Sequence, residues 1–415
     1  MVVGMKITAI GKARLALTIL IAGTLSCGKS TSLAFGDAGL DRTQQGEGGA
    51  AGAEGSMIDS GGGAGGANGI YMMSNYGYRG GAFAAPFAPG AIPAPSQIAG
   101  LALYVPLAQI LPAYPADGAS FVWDWAYLDA LIADANGKPF SLALVVGFQA
   151  PLPAGFDEAC PGCAATFHTW QAVDSTCVVS AVPLVWNTQV QALWSAAAGA
   201  IAQHLTTMGA YAQLTLVHLP GLSAFDEELR MPASTPAPAD PSVCPVVADT
   251  TEARYQSLGY ISGPAVRSAW LDVASAWGAA FPDKLMGASL FPPTLPDFPS
   301  WVNPTQGAYA NSLVSALAAM FPGRLQIQAD MAGSVGFAPS GYLLPEAENF
   351  ARTFGTPLGW QTMQPGATFV TDDNPSSPTS YYALLQAMAL APYVEVWSFD
   401  VVSYPNSIVA SAGIP

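Results

Sequence analysis

Eight short apolar runs, separated by stretches of helical pattern, constrain this chain more than any other feature. The runs are Gly69–Asn75 (GIYMMSN), Ala99–Ile110 (AGLALYVPLAQI), Phe140–Phe148 (FSLALVVGF), one opening at Leu214 (LTLVHLP), Lys284–Phe291 (KLMGASLF), Leu325–Asp330 (LQIQAD), Pro357–Met363 (PLGWQTM) and Tyr393–Phe399 (YVEVWSF). They are mostly continuous in their apolar residues, as strands covered on both faces are. Helix-like stretches fall between them at about 125–136, 188–205, 264–280, 308–320, 346–354 and 381–390. Strand and helix in alternation make a parallel sheet, and eight strands close a (β/α)8 barrel. The segment behind the first run is rich in Pro, Gly and Ala and shows no element. The tail after Val401 is short for a closing helix. A doubly wound open sheet is the competing architecture, but it needs a Gly-rich phosphate turn behind its first strand. The GAGGANG run precedes that strand, which makes it linker. The expectation is an α/β, single-domain (β/α)8 barrel over 69–415.

The N-terminus carries an export signal. Lys6, Lys12 and Arg14 precede Leu15–Leu25, an apolar stretch too short to span a bilayer, and Cys27-Gly28 follows closely. Residues 1–27 resemble a bacterial lipoprotein signal, in which Cys27 becomes the lipidated first residue. Thr24 stands where such signals usually carry Leu, and an ordinary cleaved signal peptide is the alternative. Both put the protein outside the cytoplasm, lipid-anchored in a bacterial cell envelope or secreted. Residues 28–68 are a flexible Gly/Ala/Ser-rich linker without periodicity.

Charge narrows the partners. The net charge is −15 with 13 Lys plus Arg, so the basic footprint that nucleic acid requires is missing. Contact with a membrane is expected through the N-terminal lipid alone. A neutral or cationic ligand, no cofactor and a monomer complete the expectation. With Cys27 assigned to the lipid, Cys160, Cys163, Cys177 and Cys244 form an even set in an oxidising compartment. They read as two structural disulfides. No second CxxC follows Cys160-Pro-Gly-Cys163, and none of the three His residues stands at ligand spacing, which speaks against a metal site. Three connectivities are open. Cys244 lies beyond the fourth run and the others before it, so at least one bridge ties the segment after that strand to the insertion before it. The Cys-containing insertions fall around 150–187 and 233–250.

On a barrel, every strand's carboxyl end points at one cleft. Behind the fourth run, Pro220-Gly221 breaks the strand, and the acids Asp226, Glu227 and Glu228 follow, then Arg230. Only 10% of the chain is charged, so such a cluster stands out, although a solvated loop accounts for an arbitrary acidic triplet. Other strand ends contribute Tyr76, Gln149, Asp330, Trp360, Gln361, Glu395 and Trp397, with Trp123 and Trp125 behind the second. Carboxylates, amides and aromatics around one cleft suit a sugar, whose apolar ring faces stack while its hydroxyls need paired donors and acceptors. Glycosidic cleavage needs one carboxylic acid held protonated and a second carboxylate across the bond. Each item has a plainer explanation, Trp as packing and Asp330 as a cap. Glu395 is the strongest, because a carboxylate within an apolar strand is expensive to bury unless hydrogen-bonded or functional. His218, inside the fourth strand, reads as a cleft-lining hydrogen-bond partner or core residue. No Gly-x-Ser-x-Gly elbow supports a serine hydrolase.

The segments Val122-Trp123-Asp124-Trp125, Leu128–Ile132, Val145-Val146-Gly147, Glu228–Pro232, Gly359–Thr362 and Val394–Trp397 resemble bacterial glycoside-hydrolase-like barrels of the broad cellulase and β-galactosidase superfamily. That resemblance, spread over about 69–401, implies a glycosidase with Glu228 (or Glu227) as general acid/base and Glu395 as the second carboxylate. Tyr76, Trp123, Trp125, His218, Asp330, Trp360, Gln361 and Trp397 would bind substrate. Two departures matter. Retaining members usually carry Asn-Glu after the fourth strand and a nucleophilic Glu ending the seventh. Here no Asn precedes the acids, and the seventh strand holds Gln361, which cannot ionise. A catalytically silent carbohydrate-binding barrel and a surface structural or adhesion lipoprotein therefore stay open beside the glycosidase.

Overall fold

The computed structural model describes residues 67–73, 78–79, 82–83, 94–146, 150–171, 176–220, 240–249, 251–289, 306–332, 349, 351–362, 370, 372–388 and 391–413. The chain divides into two units, Met1–Asp59 and Ser60–Pro415, and all of these residues belong to the second.

The eight runs form strands β1 (Gly69–Met73), β2 (Gly100–Pro106), β3 (Phe140–Val145), β4 (Leu214–His218), β5 (Leu285–Ser289), β6 (Leu325–Ala332), β7 (Leu358–Thr362) and β8 (Tyr393–Trp397). All pair in parallel and close into one barrel, with β1 hydrogen-bonded to both β2 and β8. Helices α1 (Ala126–Ala135), α2 (Thr188–Met208), α3 (Gly263–Ala280), α4 (Gln306–Met320) and α5 (Tyr381–Ala387) alternate with them. The second run is shorter as a strand than its apolar length suggests. Beyond Pro106 it turns into the helical turn Leu107–Ile110, and apolar character alone does not separate the two. The closing helix that the tail looked too short to supply is replaced by two short ones, α6 (Ser398–Ser403) and α7 (Pro405–Ala410). Asp373 carboxylate oxygens accept from the Asn406 and Ser407 backbone N–H groups at 2.9 and 2.8 Å, at the start of α7.

Helix ends follow local chemistry. Asn187 caps α2 by accepting from Gln189 N at 2.9 Å, and Gly209, at φ 79°, ends it in the left-handed conformation. Ser262 caps α3 with Pro264 in its first turn. The buried stripe of α3, Val266, Trp270, Val273, Ala274 and Trp277, recurs every three or four residues and meets the sheet's outer face. No helix among the described residues is long and apolar enough to cross a membrane.

Side-chain alternation then splits the core. Ile70, Leu103, Leu144, Val217, Ile327 and Val396 face outward into the layer shared with the helices. Tyr71, Met73, Ala102, Tyr104, Ala143, Val145, Leu216, Tyr393 and Trp397 form a second, inner cluster. Space inside is short. At Gly359 an added Cβ would lie 2.6 Å from Gln326 Nε2 and 3.1 Å from Tyr393 Cδ1. Glycine there leaves room for those larger side chains.

Behind β3, the paired segments Ala164–Gln171 and Thr176–Pro183 form an antiparallel hairpin. Cys160 pairs with Cys163, and Cys177 with Cys244. The second bridge is the tie that the position of Cys244 demanded. Asp249 Oδ2 reinforces it, accepting from the His168 backbone N–H at 2.7 Å and lying 2.6 Å from its Nδ1.

Candidate active site

Inside the barrel the structure gathers polar side chains around one carboxylate. Glu395 is the central residue of β8 and is fully buried. Its Oε2 accepts from Tyr104 of β2 at 2.6 Å, from Gln361 of β7 at 3.0 Å and from Gln328 of β6 at 3.2 Å. On the other side, Oε1 accepts from the Tyr393 hydroxyl and stands 3.0 Å from His218 Nε2 of β4. Ser141 Oγ of β3 lies 2.7 Å from the same Tyr393 hydroxyl. A phenol has one proton; with it committed to Glu395, Ser141 is the donor of that pair. Gln361 Nε2 also donates to the Tyr104 hydroxyl at 2.5 Å. Strands from most of the circumference thus converge on a single charge.

Burial pushes the Glu395 carboxyl up, but it is outweighed. The opposite charge of His218, then hydrogen bonds from His218, Tyr104 and Tyr393, bring it below the ordinary glutamate value. Tyr393 moves the other way, raised by burial first and then by the Glu395 charge. An ionised, hydrogen-bonded carboxylate of this kind suits a base, a nucleophile or a stabiliser of positive charge, not an acid. A carboxylate has about four lone-pair sites, and five donors crowd them. Of this shell only Gln361 is half-buried; Tyr104, His218, Gln328, Tyr393 and Ser141 are buried.

Of the residues expected at the site, Glu395, His218 and Gln361 come together directly. Trp397 faces the interior one turn of the strand pleat further on, its Nε1 donating to Thr362 O at 2.5 Å. Trp360 does not join them: next to Gln361 on a strand, it points to the opposite face and is buried in the layer under the helices. Trp123 and Trp125 are half-buried against that same outer layer. Trp125 stacks on His204 at 4.4 Å and Trp123 on Trp125 at 5.8 Å, so their ring faces are largely used within the protein. Tyr76, Gln149, Asp226, Glu227, Glu228 and Cys27 lie outside the described residues, as does the side chain of Asp330. Tyr104, Tyr393, Gln328 and Ser141 were not singled out from the sequence. A signal was there: LQIQ in β6 alternates amide with aliphatic inside a buried strand, which marks an interior polar face. Among the described residues, no group of three His, Cys, Asp or Glu side chains is placed to hold a metal ion.

No protein-family model matches the chain, and no curated protein sequence matches it either. Among solved structures, a native Bacteroidetes-affiliated GH5 cellulase linked with a polysaccharide utilization locus matches with a TM-score of 0.44 and 12% identity, over 84% of this chain and 91% of that one. An endo-1,4-β-xylanase from Caldicellulosiruptor owensensis matches with a TM-score of 0.36 and 7% identity, over 71% and 77%. A psychrophilic family 10 endo-β-1,4-xylanase gives 0.35 and 10%, over 72% and 78%. The structural neighbours are glycoside hydrolases, and the residues of the barrel interior carry the functional argument below.

Proposed function

We propose that this protein is an extracytoplasmic glycoside hydrolase acting on an oligo- or polysaccharide with two carboxylates. The observation that carries the reading is Glu395: a fully buried carboxylate in a barrel interior, kept charged by His218 and by donors from neighbouring strands. Its ionised state fits the second carboxylate of such a pair, the one that stabilises or captures positive charge at the anomeric carbon. The protonated partner in this reading is Glu228, or Glu227 next to it in sequence, in the segment that follows β4, the strand that carries His218. For Glu395 to attack, one donor must release Oε2, and Gln361 is the one member of the described shell that is half-buried and not buried. Gln361 and Trp397 line the sugar site from β7 and β8, with Tyr76 and Asp330 completing it in this reading. Cys27 carries the lipid that holds the barrel in the cell envelope.

A second reading is favoured by one observation, the full occupation of the Glu395 oxygens. In that reading the barrel binds carbohydrate without cleaving it. One experiment separates the two: hydrolysis and binding of an oligosaccharide panel by the wild type, Glu228→Gln and Glu395→Gln, with each variant's folding checked by circular dichroism. Loss of turnover in both folded variants supports the glycosidase. Binding without turnover by the wild type supports the second reading, and turnover surviving both substitutions refutes the assignment of these residues.

A further inference from the structure

Tyr104 makes the shortest of the three contacts on Glu395 Oε2, 2.6 Å against 3.0 and 3.2 Å from the two amides. Its ring sits in the inner cluster, 2% exposed, near the carboxyl end of β2, with its centroid 6.2 Å from that of His218 on β4, two strands away. The hydroxyl has one proton and gives it to the carboxylate, while its oxygen accepts from Gln361, the half-buried side chain. Tyr104 and half-buried Gln361 thus hold Oε2 together, each bonded to it and to the other.

We infer that Tyr104 is the positioning residue of Glu395, the donor that fixes Oε2 in place. This rests on the proposed reading of Glu395 as the ionised carboxylate of the reaction. Chemistry separates Tyr104 from His218, and the oxygen each holds separates it from Tyr393. An imidazole offers its charge only while protonated, whereas a phenol keeps its donor proton up to strongly alkaline pH. Among the described residues, the titratable groups facing Glu395 are His218 from β4, Tyr104 from β2 and Tyr393 from its own strand, with Tyr71 of β1 packed 4.7 Å from the Tyr393 ring. Gln328, Gln361 and Ser141 complete the surroundings and are neutral. Tyr393 holds Oε1 and is itself fixed by Ser141; Tyr104 holds the other oxygen, Oε2, and accepts from Gln361, which also donates to Oε2 directly.

The test uses the full chain with Tyr104→Phe. Two quantities are read: the acid limb of kcat/KM against pH on whichever oligosaccharide is hydrolysed, and the carboxyl titration of Glu395 by 13C NMR, assigned with Glu395→Gln. Both are expected to move to higher pH together, with kcat falling more than tenfold and KM changing little. A merely structural tyrosine would lower the melting temperature without moving either titration. Replacing Tyr104 by 3-fluorotyrosine, a more acidic donor of nearly the same shape, should shift the NMR titration the other way, and it serves where the Phe variant does not fold. An unmoved Glu395 titration in a folded variant overturns the inference. A moved titration in a protein that hydrolyses no glycan overturns the proposed activity and leaves the Tyr104 contact standing.

Discussion

Replacing Glu395 by Gln keeps the shape of the side chain and inverts half of its hydrogen bonding. Five donors converge on the carboxylate, three on Oε2 and two on Oε1. A Gln offers one acceptor oxygen and an NH2 group that can only donate. With its oxygen in the Oε2 position, the NH2 confronts Tyr393 and His218; turned over, it confronts Tyr104, Gln328 and Gln361. Either way at least two buried donors lose their acceptor. Each such loss costs about 1–3 kcal/mol, so the variant should be destabilised by about 2–6 kcal/mol. The lower end applies where a tyrosine hydroxyl turns to accept. Against a total of about 5–15 kcal/mol for a typical domain, that is a large fraction. Urea unfolding at neutral pH, followed by the fluorescence of the chain's 10 Trp residues, reads it directly. The midpoint should fall with an unchanged slope. Adding Tyr104→Phe removes one stranded donor when the NH2 faces Oε2's partners, so the double variant should be less destabilised than the sum of the singles. A Glu395→Gln protein within about 0.5 kcal/mol of the wild type would refute the shell as described, since ordinary surface changes stay inside that range.

Other expectations follow from the same contacts. Glu395 has its pKa lowered in the folded state, so its contribution to stability is complete above the ordinary glutamate value of 4.5 and is lost as pH falls below it; acid titration of the wild type should show this loss, and Glu395→Gln should lack it. Gln361→Glu would place a second carboxylate where Gln361 Nε2 now stands, 3.0 Å from Oε2, and two carboxylates at that distance cannot both ionise cheaply. Acid destabilisation should then begin at a higher pH than in the wild type, and an unshifted onset would count against the placement of Gln361. Replacing Cys177 and Cys244 together by Ser opens a link between residues 67 apart and should cost up to about 4 kcal/mol, read as a lower melting temperature under non-reducing conditions. An unchanged melting temperature would refute a stabilising role for this bridge and leave the hairpin to the His168–Asp249 contact and to buried Ala165, Phe167 and Val182.

How much was legible beforehand differs from element to element. The strands were visible because each must be apolar on both faces, and eight of them in alternation with helices leave few architectures. Their ends were less visible: Leu107–Ile110 reads as strand from its composition and is helix in the structure. Glu395 stood out as a carboxylate in an apolar strand. Its partners did not, because Tyr104 and Tyr393 are unremarkable residues for a buried strand and nothing local distinguishes a tyrosine with a charged partner from one that only packs. The tryptophans misled for a related reason. Trp360 and Gln361 are adjacent in sequence, and only the side of the barrel each faces separates packing from site.

The sequence by itself determined the barrel, the tie from Cys244 to the preceding insertion, and the presence of a costly acid on the last strand. These follow from periodicity, chain order and the price of burying charge, all of which are local or countable. Tertiary structure decided what that acid is. Tyr104, His218, Gln328 and Gln361 lie 291, 177, 67 and 34 positions from Glu395; strand pairing sets Gln361 beside it, and the closed barrel brings the other three within hydrogen-bond reach. A carboxylate's charge state is set by such neighbours and by exclusion of water, neither of which is written in its own stretch of chain.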